Sequence, residues 1–307
     1  MRKTSLTTVL ALAAAAAMFL APAPGSGQDA PKAPTGKGGG KAGGGGAKAG
    51  GGGAKAKGPD PYSPYFQAPV TDAQPFARRP DGKPNMEGYW TPRLNRAIFD
   101  IQGKQGAIVD PPDGLLPYKP EAAAKAKDLK ANHMYLETEA HCFLSGVPHT
   151  AYQQFGYQIF QTNDYFVTMP EYAHSYRLVS IGGKHAPNDV KLFMGDGVGR
   201  WEGDTLVVET TNHNGLVWLD MEGNFTTPNM QVVERFTMVD LNRIDYEATI
   251  TDSSIYTRPW KIAGNLGRHP DLNYELMEFA CHEGNQDLEH YTVGQGGKAA
   301  EKGARSQ

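Results

Sequence analysis

Along residues 243–251 polar and apolar side chains alternate without a break: Ile244, Tyr246, Ala248 and Ile250 fall between Arg243, Asp245, Glu247, Thr249 and Thr251. A period of two turns successive side chains to opposite faces of a strand, so the first set faces a core and the second faces water. Residues 230–239 read as the partner strand across the turn residues Asp240, Leu241 and Asn242, with Val232, Phe236 and Met238 on the more apolar face and Glu234 among them. A carboxylate aimed at a core is costly unless paired or hydrogen-bonded, so Glu234 requires a partner or a wet cavity. The run MGDGVGRWEGDTLVVETTN (194–212) has the same grammar: a glycine-rich turn, a short strand at 200–202, the two-residue turn Gly203-Asp204 and a β-branched strand at 205–211. Further strands are predicted at 157–162 and 165–169 around Asn163-Asp164, at 172–181, at 190–194 and, last, at 274–281. Residues 119–133 break the pattern: Pro120 suits a first helical position, and EAAAKAKDLKA behind it favours a helix whose alanine-rich face belongs on the surface. The fold class is therefore all-β, an antiparallel meander closing into a barrel or a β-sandwich, with one short surface helix.

The two ends of the chain change the picture of where it works. Arg2 and Lys3 precede an apolar run to Leu20 and the small or turn-forming residues up to Gly27, the pattern of a secretory signal peptide over residues 1–27. An uncleaved anchor is the alternative, but the run is short of the ~20 residues that span a bilayer, so the chain is not expected to be membrane-spanning. Residues 28–61 read as a Gly/Ala/Lys-rich disordered linker, with GGGGAKA at 43–49 and again at 50–56. Its six lysines allow weak electrostatic contact with an anionic cell envelope, the alternative being a plain solvated spacer. A single all-β domain is expected over 62–293, and a flexible tail over 294–307. Setting aside Arg2, Lys3, the six linker lysines and Asp29 from the chain's 30 basic and 33 acidic residues leaves 58–307 with 22 against 32, a net charge of about −10. That charge argues against nucleic acid as a partner.

Cys142 and Cys281 read as a disulfide, as a cysteine pair in an exported protein does, closing a loop of 139 residues and contributing about 5 kcal/mol by chain entropy. A nucleophilic cysteine is the alternative. Alternation within 172–181 places Tyr172, His174, Tyr176 and Leu178 on one face, and Glu171 and Arg177 on the other. His174 among tyrosines suits a general base or a ligand contact, and equally a core histidine bonded to a tyrosine or a carbonyl. Glu283, just beyond Cys281, completes a site with His174 and Glu234, or is a solvated strand end. No compact zinc spacing or phosphate-cradling loop is present, and no cofactor is indicated. Asp196, Glu202 and Asp204 suit calcium, but aspartates in turns also serve backbone capping, and no metal is expected.

Two functional classes follow. The first is an exported β-barrel binding a small, largely apolar molecule through Tyr172, His174, Tyr176, Trp218 and Glu234. The second is a secreted lyase, isomerase or hydrolase with His174 as base, Glu234 or Glu283 as acid or orienter, and Arg177 as charge stabiliser if a bulge or strand end turns it inward. An envelope-associated structural protein using the lysine linker is a third.

DGKPNMEGYW at 81–90 opens a series of motifs, EYAHSYRLVSIGGKHAP, MGDGVGRWEGDTLVVETTN, WLDMEGN, VVERFT, YEATITD, YTRPW and CHEGN, which resembles an uncharacterised family of exported bacterial proteins across about 81–285. The resemblance implies an envelope or secreted location and a common fold, with no established activity. Where many members of that family carry a His-Ser-Asp segment after WLDxxGN, this chain has Thr226-Thr227-Pro228. Gly88-Tyr89-Trp90 is similar to the Gly-x-Trp that opens the first strand of lipocalins, and implies a lipocalin-like barrel.

Overall fold

The computed structural model describes residues 73–103 and 106–286. The signal segment, the linker and the C-terminal tail expected from the sequence lie outside the described residues. Ten strands form one sheet: β1 Gly88–Pro92, β2 Ile108–Asp110, β3 Tyr157–Gln161, β4 Tyr165–Pro170, β5 Arg177–Ile181, β6 Asp196–Glu202, β7 Thr205–Thr211, β8 Gln231–Asp240, β9 Arg243–Thr251 and β10 Trp260–Arg268. The order is β1-β3-β4-β5-β6-β7-β8-β9-β10, and β1 pairs back onto β10, so nine strands close into a barrel. β2 pairs with the first half of β10 and β1 with the second, end to end along one edge.

An odd ring cannot be antiparallel throughout, because strand directions that alternate around a circle return to their start only for an even count. The exception is β5 and β6, which run parallel, with Val179 opposite Gly197 and Ile181 opposite Gly199. The antiparallel expectation therefore fails at this one seam. A parallel pair cannot be joined by a tight turn. Residues 182–195 make the crossing, and the strand expected at 190–194 is part of that loop, where Leu192 forms an isolated bridge with His213, just beyond β7.

β8 and β9 follow the alternation read from the sequence. Val232, Phe236 and Met238 face Ile250, Tyr246 and Ile244 across the pair, all at the buried interior. Gly203-Asp204 joins β6 to β7 as a two-residue turn, with Gly203 at φ +62°, and the Arg78 guanidinium clasps Asp204 through two hydrogen bonds of 2.6 and 2.9 Å. The helix α1, Pro120–Asn132, buries only Ala122 and Ala126. Among the described residues no helix is long and apolar enough to cross a membrane.

The last strand is not where the alternation of 274–281 places it. That segment has no regular structure, and β10 takes the position instead. Gly264 lies at the middle of β10 because the Leu94 side chain packs on its backbone; a Cβ there would sit 2.3 Å from Leu94. The interior is filled by Trp90, Trp260, Tyr246, Phe166 and Phe236. At one end the Arg268 guanidinium lies 4.3 Å over the Trp90 ring and donates to the carbonyls of Leu241 and Glu87. At the opposite end the long connections gather: 93–156, 212–230 and 252–259 all leave from it.

Candidate functional site

Two clusters of ionisable groups differ in where the fold puts them. The first lies inside the barrel. The sequence phase over 172–181 is inverted: Tyr172–His174 is a short 3-10 turn with Ala173 in the left-handed region (φ +57°), and this turn resets the alternation before β5 begins. Arg177 and Val179 therefore point inward, while Tyr176 is 67 % exposed and Leu178 is also exposed. No bulge is needed to bring Arg177 in. Its Nη1 donates to Glu234 Oε1 at 3.0 Å, and its Nη2 to Glu234 Oε2 and, at 2.8 Å, to Thr210 Oγ1. Tyr246 Oη donates to Glu234 Oε1 at 3.0 Å. Glu234 is 0 % exposed and Arg177 4 %.

Burial alone would favour the neutral guanidine, but the facing Glu234 carboxylate more than offsets it and holds Arg177 charged. Burial, then Glu234, push the Tyr246 and Tyr157 phenols up. His213 lies just beyond β7, and burial with the nearby Arg177 charge pushes its imidazole down to about 4. Arg177 Nε, Tyr157 Oη and His213 Nε2 are buried without a hydrogen-bond partner among the described residues. The pair satisfies the partner that Glu234 required, in a sealed interior.

The remaining sequence candidates do not join this cluster. Tyr172 lies at the gathered end of the barrel, its Oη donating to the Glu139 carbonyl at 3.1 Å. Trp218 is buried outside the barrel in a bridge to Phe225. Glu283 is exposed in a turn. The role given to the His174 side chain lies outside the described residues. Asp196, Glu202 and Asp204 are engaged separately, with His185, with Arg200 and Arg235, and with Arg78.

The second cluster sits at the gathered end, on segments without period-two or helical patterning. Glu137 is fully buried and accepts the backbone N–H groups of Glu139 (3.0 Å) and Ala140 (2.8 Å), which fixes the 3-10 turn Glu139–His141. Burial raises the Glu137 carboxyl against the pull of those two donors. Cys142 ends the turn at φ +56° and is bonded to Cys281, with Cα atoms 5.7 Å apart. The turn holds the Glu139 carboxylate against Gln153, whose Nε2 donates to Oε1 and, at 3.1 Å, to Ser145 Oγ. His149 Nε2 stands 3.2 Å from the same Oε1, off the line of a good hydrogen bond. His149 Nδ1 lies 2.9 Å from the Trp218 carbonyl. A carbonyl only accepts, so Nδ1 carries the proton and Nε2 faces the Glu139 carboxylate. Behind them Asp220 accepts Ile101 N, Glu222 N and Asn224 Nδ2 at 2.8–2.9 Å, and burial pushes it up to about 7.

In front of Glu139 a cleft of about 290 Å³ opens, with Glu137 and Glu139 at its base. Its walls include Phe155, Tyr172 and Phe279; the Phe279 ring stands 5.1 Å from each of the other two. The disulfide and Asn285, whose Nδ2 donates to the Ala140 carbonyl at 3.0 Å, pin the 274–285 segment across it. The Glu139 side chain is 14 % exposed, enough to meet a solute. Comparison with protein-family models, with curated proteins and with solved structures finds no match to this chain. Glu137, Glu139, His149 and Asp220 were not among the residues singled out from the sequence. The available signals were the proximity of Glu139 to Cys142 and the position of Asp220 within WLDMEGN.

Proposed function

We propose that the protein binds a small molecule in the cleft at the gathered end of the barrel, with the barrel as the rigid support. The observation that carries this reading is the formed, aromatic-walled cleft whose base presents a partly exposed carboxylate, the mixture of apolar wall and few polar groups that small-molecule sites have. It moves the site away from the interior, where Arg177 and Glu234 satisfy one another. The disulfide and the N-terminal signal pattern support work in an oxidising, exported setting. The motif series supports kinship with the exported bacterial family.

An acid–base enzyme is the second reading, favoured by Glu139 and His149 standing 3.2 Å apart beside open space. A fragment library with neutral, cationic and anionic members, screened by amide chemical-shift mapping on the whole protein, tests the binding proposal. Hits should shift Ala140, Gln154 and Ala280 together. If no fragment moves these amides, the cleft is not a ligand site.

A further inference from the structure

The polar atoms of the cleft are unevenly spent. Of the donors on its wall, Tyr172 Oη is given to the Glu139 carbonyl and Asn285 Nδ2 to the Ala140 carbonyl and to Cys142 Sγ, while the Gln154 amide is exposed. The acceptors are not exhausted: Gln153 and Ser145 both approach Glu139 at Oε1, and Oε2 has no hydrogen-bond partner among the described residues. Glu137 lies beside it, and among the described residues no lysine, arginine or histidine lines the cleft. His149 sits behind Glu139, fully buried, with Nε2 aimed at the carboxylate and not in line for a hydrogen bond. Above the carboxylates stand Phe155, Tyr172 and Phe279, whose ring faces carry the negative side of their quadrupoles.

Each class of ligand meets this surface differently. An anion is repelled by the Glu139 carboxylate. A neutral apolar molecule would strip water from Glu139 and return no hydrogen bond or charge, which is costly. A cation gains from the carboxylate and from the ring faces at once. We infer that the ligand of this cleft is a small organic cation, an amine or alkylammonium, held between the Glu139 carboxylate and the rings of Phe155, Tyr172 and Phe279. The inference rests on the cleft being the binding site proposed above.

Choline and its uncharged carbon isostere 3,3-dimethylbutan-1-ol separate charge from shape, and both are titrated by calorimetry and by amide shifts into the full chain. Choline should bind at least about tenfold more tightly than the alcohol, the gain expected of a desolvated cation–π and carboxylate contact. Glu139→Gln should erase most of that difference. Phe279→Leu, which keeps an apolar wall and removes the ring face, should weaken choline more than the alcohol. The inference is overturned if the two probes bind equally, if choline binding is unaffected by both substitutions, or if choline does not bind at all. Fragments of other charge still mapping to Ala140 and Ala280 would then leave the cleft standing as a site without its cation. A cleft silent to every fragment removes both.

Discussion

The barrel interior and the gathered end each hold a carboxylate against a nitrogen base, yet they are built by opposite means. Arg177 and Glu234 stand on regular strands, where alternation fixes their direction and neighbouring rungs supply Thr210 and Tyr246 as further partners. Glu139 and His149 stand on 3-10 turns set in position by side-chain bonds to backbone and by one disulfide. The first arrangement leaves no face for a solute. The second leaves a cleft, because irregular segments need not fill the space between them. Regular structure here supplies rigidity and irregular structure supplies access.

The largest test of this contrast is the disulfide. Cys142→Ser with Cys281→Ser should cost up to about 5 kcal/mol in urea unfolding, the chain entropy of a 139-residue loop. Hydrogen exchange should quicken at 274–285 and around Glu139 while β8 and β9 amides stay protected. Uniform loosening of the barrel would instead show that the two regions are not separately held.

Breaking the interior pair comes next. Arg177→Met or Glu234→Gln alone should destabilise by about 3–5 kcal/mol, since each leaves the other group buried and uncompensated, whereas Arg177→Met with Glu234→Leu should recover most of that loss. Cleft binding should be unchanged in whichever variants fold. Loss of binding in a folded double variant would tie the interior to the site.

A pH comparison separates the regions by sign. Asp220, raised to about 7 from 3.8, contributes stability that is present below about pH 4 and lost as pH rises through 7. His213, lowered to about 4 from 6.5, contributes stability that is present above about pH 6.5 and lost as pH falls through 4. Each is about 3–4 kcal/mol, and over pH 4–7 they oppose one another. Asp220→Asn should expose the His213 slope, stability rising with pH, and His213→Gln the reverse. Parallel slopes in the two variants would contradict these assignments.

The smallest expected effect lies where the regions meet. Gly264→Ala forces its new methyl into Leu94, the first turn of the long connection leaving β1, and should cost about 1–3 kcal/mol by thermal unfolding. An unchanged midpoint would mean that Leu94 moves aside freely, and that the connection is only loosely seated on the barrel.

Much of the barrel was legible because its strands have one wet and one dry face. β3, β4, β7, β8, β9 and α1 lie where patterning and turn residues put them, and Glu234 has the buried partner its position demanded. β10 was hidden by Gly264 and Gly267, which lower strand propensity while serving close packing. Arg177 was assigned to the wrong face because alternation carries no phase across the left-handed backbone at Ala173. The segment 274–281 alternates like a strand but is held by side chains: Tyr274 Oη donates to Glu171, and Phe279 packs on Phe155. Glu139 and His149 were invisible for a simpler reason. Short turns have no period, and nothing in their spacing announces that they meet.

Closing the ring joins Trp90 to Arg268, about 180 residues downstream. During synthesis the earliest strand must therefore wait, with one edge bare, until nearly the whole described chain has emerged. Exposed edges invite pairing with other chains. The shortness of β1, five residues ending in a proline that has no N–H to donate, limits that hazard while the edge is open.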